Sequence, residues 1–176
     1  MWAQIEIRCQ KSVVRYQMAE EIKDILRSKY PEMEVVAIRH EDLVYEERVR
    51  LKCVHCRNYR TKWTCPGRLP ELDYAKITSE YAHMAVVVGT AAQLHEALLY
   101  MEAELFRRNE PLAVSFIGGS CELCKEGCNK EACAHPEQAR ISWTATGCNV
   151  TKTLANIGIE VDYTKNKDRR YGLLMW

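Results

Sequence analysis

Met84-Ala85-Val86-Val87-Val88-Gly89-Thr90, with the stretch from Leu94 to Arg108 and then Leu112-Ala113-Val114-Ser115-Phe116-Ile117, decides the fold of this chain. Five apolar residues in a row, ended by glycine, read as a buried strand. Leu94, Ala97, Leu98, Met101 and Leu105 recur at helical spacing and make one apolar stripe. Pro111 stops that helix from running on into the strand from Leu112 to Ile117. Thr90 and Gln93 have the spacing of a capping box, in which hydroxyl and amide satisfy each other's free backbone donors. Together the segments read as a β-α-β unit. Its strands run parallel and finish at one edge of the sheet, where the ligand sites of open α/β sheets lie. Gly118-Gly119 and a cysteine-rich loop follow directly at that edge.

Working outward, residues 2 to 8 alternate like a strand. Residues 16 to 30 put Met18, Ala19, Ile22, Ile25 and Leu26 on one helical face before Pro31. Val35 to Ile38 reads as a buried strand. Arg48-Val49-Arg50-Leu51-Lys52 alternates and is expected to be a strand leading straight into Cys53. Helices are expected over about residues 71 to 81 and 149 to 157, and strands over 159 to 163 and from Tyr171 to Trp176. The expected architecture is a single α/β domain over residues 1–176, with a mixed sheet flanked by helices. Two cysteine-rich loops, 53–66 and 121–136, project from it.

The totals are those of an ordinary globular protein: 176 residues, 47% hydrophobic and 28% charged, with a formal net charge of +1. So balanced a charge disfavours nucleic acid as a partner. Met1 to Arg8 has none of the continuous apolar run of a signal peptide, and no later stretch is long enough to span a membrane. A cytoplasmic protein without a membrane partner is expected. In that setting nine cysteines point to thiolate ligands rather than disulfides.

The spacing of those cysteines carries the chemistry. The first loop has Cys53, Cys56 and Cys65, a C-x2-C followed after eight residues by Cys-Pro. Two sulfurs of a C-x2-C turn can grip one metal or two irons of one cluster. Three thiolates fall short of the four of a structural zinc site, whereas a cubane cluster on three cysteines leaves one iron open. The second loop has Cys121, Cys124, Cys128 and Cys133, with His135-Pro136 after them. It is close to the ferredoxin run C-x2-C-x2-C-x3-C-P, with each later gap longer by one. Seven thiols exceed what a single zinc ion uses. The expected cofactor is therefore an iron-sulfur cluster of the 4Fe-4S type, one or two in number. Zinc, on four thiolates or on three with His55 or His135, is the alternative. Cys148 would raise the thiols to eight, or is equally a core residue, and Cys9 reads as a small buried hydrophobe.

Both loops together resemble the family of predicted metal-binding proteins known as domain of unknown function 2284, frequent in anaerobic bacteria and archaea. The resemblance rests on Arg48 to Cys53, on Cys56 followed by Asn58-Tyr59, and on Cys65-Pro66. It continues through Cys121, Cys124, Cys128 and Cys133 to His135-Pro136, Ala139-Arg140 and Ser142. Two departures stand out: Gly67 replaces a second proline after Cys-Pro, and Cys148-Asn149 stands where the family pattern has Ile-Asp. The resemblance implies metal binding in an anaerobic setting and implies no particular reaction.

Other residues are weighed against plainer roles. Arg57, Tyr59, Arg60 and Trp63 lie among the first loop's ligands, as a water-excluding, charge-balancing wall or as a packed loop. His40, His83 and His95 lack ligand spacing, with His95 expected on the outer side of its helix. Gly118-Gly119 gives a cysteine loop turning room more readily than it cradles phosphate, because no Lys-Ser or Lys-Thr follows. The expected function is an iron-sulfur protein that moves electrons to a redox partner protein. The alternatives are an enzyme with an open-site three-cysteine cluster, aided by Tyr59, His55 or Arg140 at a small-molecule substrate, and a zinc-stabilised binding module.

Overall fold

In the computed structural model, residues 20–176 are described. The strand expected over residues 2 to 8, together with Cys9, Met18 and Ala19, lies outside them. Helix α1 is described over residues 20–29 and ends before Pro31. It buries Ile22 and Leu26. After it come β1 (Glu34–Ile38), α2 (Glu47–Val54), α3 (Tyr74–Ser79), β2 (Met84–Thr90), α4 (Leu94–Arg107), β3 (Val114–Phe116), α5 (Val150–Asn156) and β4 (Arg169–Met175).

The four strands form one sheet in the order β1-β2-β4-β3. Every hydrogen-bonded pair is antiparallel: Val36 faces Val86, Val88 faces Tyr171, and Phe116 faces Leu173. The chain is α/β, as expected, but the sheet is antiparallel rather than mixed. The C-terminal strand causes the difference. β2 and β3 do run parallel across α4, yet β4 lies between them and opposes both. Their C-terminal ends still share an edge, and the second cysteine loop leaves from it.

β2 is apolar at successive positions because it is covered on both faces. Ala85 and Val87 pack with Leu26 of α1 and with Leu94, Ala97, Leu98, Met101 and Leu105 of α4. Met84, Val86 and Val88 pack on the opposite face with Trp143, Leu154, Leu173 and Met175. Each fully buried aliphatic side chain of this kind contributes about 1.5–3 kcal/mol. No helix among the described residues is long and apolar enough to cross a membrane.

Three expected elements change. Residues 48–52 are helical, in α2, and none of that helix's residues is buried. Five alternating residues could not separate the two periods, and the segment is rich in Arg, Leu and Lys, which are good helix formers. Glu47 in its first turn and Lys52 in its last suit the helix dipole. Residues 159–163 form no strand. Asp162 accepts hydrogen bonds from the Thr164 amide at 2.9 Å and from the Lys165 amide at 3.2 Å, folding the chain into a turn. Ile159 and Val161 pack on the core without pairing in the sheet. At α4, the Thr90 hydroxyl donates to Gln93 Oε1 at 2.9 Å, so the two side chains bond each other and not the backbone amides of a capping box.

Candidate metal centre

The first cysteine loop is a series of tight turns set on the C-terminal end of α2. His55 caps that helix, the Cys56 amide donates to the Cys53 carbonyl at 3.0 Å, and the Tyr59 amide to Cys56 at 3.0 Å. The Arg60 amide then reaches across to the Pro66 carbonyl at 3.0 Å and closes the loop. Gly67 makes this closure possible: its φ is +88°, and a Cβ would lie 2.4 Å from Arg60 Cγ. Proline, fixed near φ −65°, cannot occupy that position. The replacement of a second proline by Gly67 is therefore built into the turn.

The second loop starts where β3 ends. A Cβ on Gly118 would meet the Tyr171 carbonyl oxygen at 2.5 Å, so this glycine lets the chain pass close against β4. Gly119, at φ +89°, then turns it toward Cys121. Beyond Cys133 the loop is tied down by Arg140. Its Nε donates to Glu102 of α4 at 2.8 Å and its Nη2 does so at 2.5 Å, in a half-buried pair. Arg140 is thus committed to holding the loop on α4, away from the role of substrate contact.

The two loops lie against each other. Lys62 Nζ donates to the Cys121 carbonyl and to Ser120 Oγ, the latter at 3.4 Å. Trp63 Nε1 donates to the Asn129 carbonyl at 2.9 Å, and Arg68 Nη1 to the same oxygen at 3.0 Å, with its guanidinium 4.6 Å from the Trp63 ring centroid. Trp63 and Arg68 therefore pack one loop on the other. Further on, the Ser142 amide donates to the Thr64 carbonyl at 3.1 Å.

All seven loop cysteines are free thiols. Cys65 and Cys121 are buried, Cys53, Cys124, Cys128 and Cys133 half-buried, and Cys56 exposed. Burial pushes the Cys65 thiol up to about 11, and the charges of Cys56 and Cys53 push it the same way. Cys53 is raised by burial and then by Cys56. In the second loop, burial raises Cys121 and Cys124, and each is raised further by Cys128 and Cys133. The thiols thus influence one another within each loop, as three and as four. Lys62 lowers both Cys65 and Cys121, acting on the two groups at once.

Among the described residues no group of three or more His, Cys, Asp or Glu side chains is arranged to hold a metal ion. The donor chemistry, seven thiols and no disulfide, fits a thiophilic metal. The Thr64 hydroxyl is buried with no oxygen or nitrogen partner, and favours the ionised form of Cys65 beside it. Such an unpaired O–H is suited to a sulfur that carries charge.

The remaining candidates separate. His55 and His135 are exposed. Cys148 is fully buried among Trp143, Leu154 and Leu173, with its sulfur 3.4 Å from Thr153 Oγ1. Burial pushes its thiol up to about 11. His40 Nδ1 meets Thr78 Oγ1 at 3.4 Å, His83 stacks on Trp176, and His95 Nε2 lies 2.7 Å from the Gln138 carbonyl oxygen, holding the second loop to α4. A feature not legible in the spacing is a cavity of about 660 Å³ along α2 and the first loop, bordered by Cys53, Cys56 and Cys65.

The family model for predicted metal-binding proteins, DUF2284, matches residues 36–176. The chain belongs to this family. The match takes in both cysteine loops, β2, β3, β4 and the larger part of β1, so DUF2284 is here a sheet-based domain. No curated protein and no solved structure matches the chain. One departure of this DUF2284 chain from the family pattern leaves local structure intact. Asn149 caps α5 by accepting from the Lys152 amide at 3.1 Å, as an aspartate would.

Proposed function

We propose that this DUF2284 protein is a cytoplasmic iron-sulfur protein that transfers electrons. The second loop would hold a 4Fe-4S cluster on Cys121, Cys124, Cys128 and Cys133, and the first loop a cluster on Cys53, Cys56 and Cys65. The observation that carries this reading is the separation of the thiols into a group of four and a group of three, on loops bonded to each other through Lys62, Trp63 and Arg68. Four thiolates complete one cubane. Two centres on packed loops would give electrons a short route between them. When bound, the clusters supply the one-electron chemistry. The chain's own residues supply thiolates, the hydroxyl of Thr64 and the positive charge of Lys62 between the two groups.

The cavity beside the first loop favours a second reading, in which the three-thiolate cluster keeps an open iron that acts as a Lewis acid on a small molecule. Tyr59 and His55 border that cavity; Arg140 does not. Both readings share a test. The full chain, purified without oxygen, is expected to be brown, with broad visible absorption that bleaches on addition of dithionite. A colourless protein carrying zinc alone after anaerobic reconstitution would leave only the zinc-stabilised module standing.

A further inference from the structure

We infer that the cavity bordered by Cys53, Cys56 and Cys65 binds a small organic carboxylate, drawn in by Lys52 and Arg48 of α2. The inference deepens the open-site reading by naming the class of ligand. Its volume of about 660 Å³ is in the range of small-molecule sites. Arg48 and Lys52 are the only Arg or Lys of its lining, and the lining includes no Asp or Glu. The two cations stand four residues apart on one helix, which places them on the same face.

The segment that supplies these two cations is unbalanced in charge. Residues 48 to 68 contain seven Arg and Lys and no Asp or Glu. Among the described residues only one of the seven, Arg48, pairs with a carboxylate, that of Glu46 at 2.9 Å. Arg50, Lys62 and Arg68 instead donate to carbonyl oxygens. Glu46 is met by Nε and Nη2 of Arg48, so Nη1 stays available. Lys52 is exposed and has no ion pair among the described residues. Three thiolates would bring three negative charges at most, and bound metal ions would subtract from them. Six cations without carboxylate partners exceed that need. Of the six, Lys52 lines the cavity beside Arg48, and cations in a partly enclosed site attract anions.

The rest of the wall selects among anions. Val49, Pro66, Ala145 and Val150 offer apolar surface, with the rings of Tyr59 and Tyr163 beside them. A polyphosphate would lack the glycine-rich cradle of backbone amides that such groups use. One carboxylate on an apolar body matches a lining that carries two cations and several apolar side chains.

Fluorine NMR on the full chain tests this, with 4-fluorobenzoate and neutral 4-fluorobenzamide as probes and inorganic phosphate as competitor. Each is measured on the metal-loaded protein and after metal removal. The benzoate is expected to broaden saturably and to bind about tenfold more tightly than the amide, the scale of a hydrogen bond to a charged group. Lys52→Gln is expected to weaken it by a similar factor and Lys52→Arg to keep it. Lys76→Gln, which removes an exposed cation of α3 outside the lining, should leave binding within about twofold, since screening weakens exposed charges outside the site. Phosphate is expected to displace the benzoate only at large excess; displacement at concentrations equal to the benzoate's would show that the apolar wall selects nothing and would overturn the inference. No binding of the benzoate, equal binding of the two probes, or equal losses in the Lys52 and Lys76 variants would overturn it. Iron and sulfide content is assayed separately. A protein that binds benzoate without iron keeps this inference and loses the iron-sulfur reading, and the reverse result does the opposite.

Discussion

At Gly67 the backbone turns at φ +88° against the side chain of Arg60. Gly67→Ala should cost about 1–3 kcal/mol through backbone strain and contact with Arg60, seen as a lower melting temperature. It should also reduce metal uptake, because the same turn carries Cys65. Unchanged melting would mean that the loop is not held as described. Glu46 makes a different kind of contribution. Hydrogen bonds from Arg48, then Lys152 and Asn149, hold its carboxyl down at about 2 against an ordinary 4.5. A folded-state pKa below the unfolded value gives stability that is full above about pH 4.5 and is lost as pH falls through about 2. Glu46→Gln should therefore flatten acid denaturation across that window and change little above it, as urea titrations at several pH values would reveal. Cys148 belongs to the core by its surroundings. Cys148→Ala should lower stability while metal content per folded chain stays at the wild-type level.

At the scale of elements, α4 covers one face of the sheet. Its stripe of Leu94, Ala97, Leu98, Met101 and Leu105 is buried against β2 and β4. Leu98→Ala should cost about 2–5 kcal/mol in chemical denaturation, as fully buried leucines do. A loss below about 1 kcal/mol would place α4 at the periphery of the core. These elements were legible in the sequence because apolar period and punctuation agree: a continuous run for β2, a helical stripe for α4, Pro111 between helix and strand. α2 was not. Its apolar residues Leu51 and Val54 are exposed and Val49 is only half-buried, so an alternation of five residues had no core face to anchor it. The turn at Asp162 was hidden in a similar way, since Ile159 and Val161 are apolar through packing and not through pairing. The antiparallel sheet was illegible for a different reason. No local signal in Tyr171 to Trp176 says that the chain's last strand enters between two strands already joined by a helix.

For the whole molecule, the position of the cysteines follows from topology. Because β2 and β3 end at the same edge, the loop after β3 emerges there, and Lys62, Trp63 and Arg68 hold the other loop against it. The spacing of the cysteines singled out the seven loop thiols and left open which of them share a centre. The cavity beside one group and the contacts between the loops were beyond it, since both depend on residues far apart in the chain. Lys62 should matter more than its exposure indicates. Lys62→Met removes a cation that acts on both groups, and should lower metal retention during dilution without shifting the secondary structure seen by circular dichroism.

The most direct measurement is the iron and acid-labile sulfide content per chain of the anoxically purified protein, compared with Cys65→Ala and Cys128→Ala. Iron and sulfide should appear in equal amounts, at about four of each per cluster, and each variant should lose part of both. A chain that takes up neither after anaerobic reconstitution, or one whose iron is indifferent to both substitutions, would contradict the account.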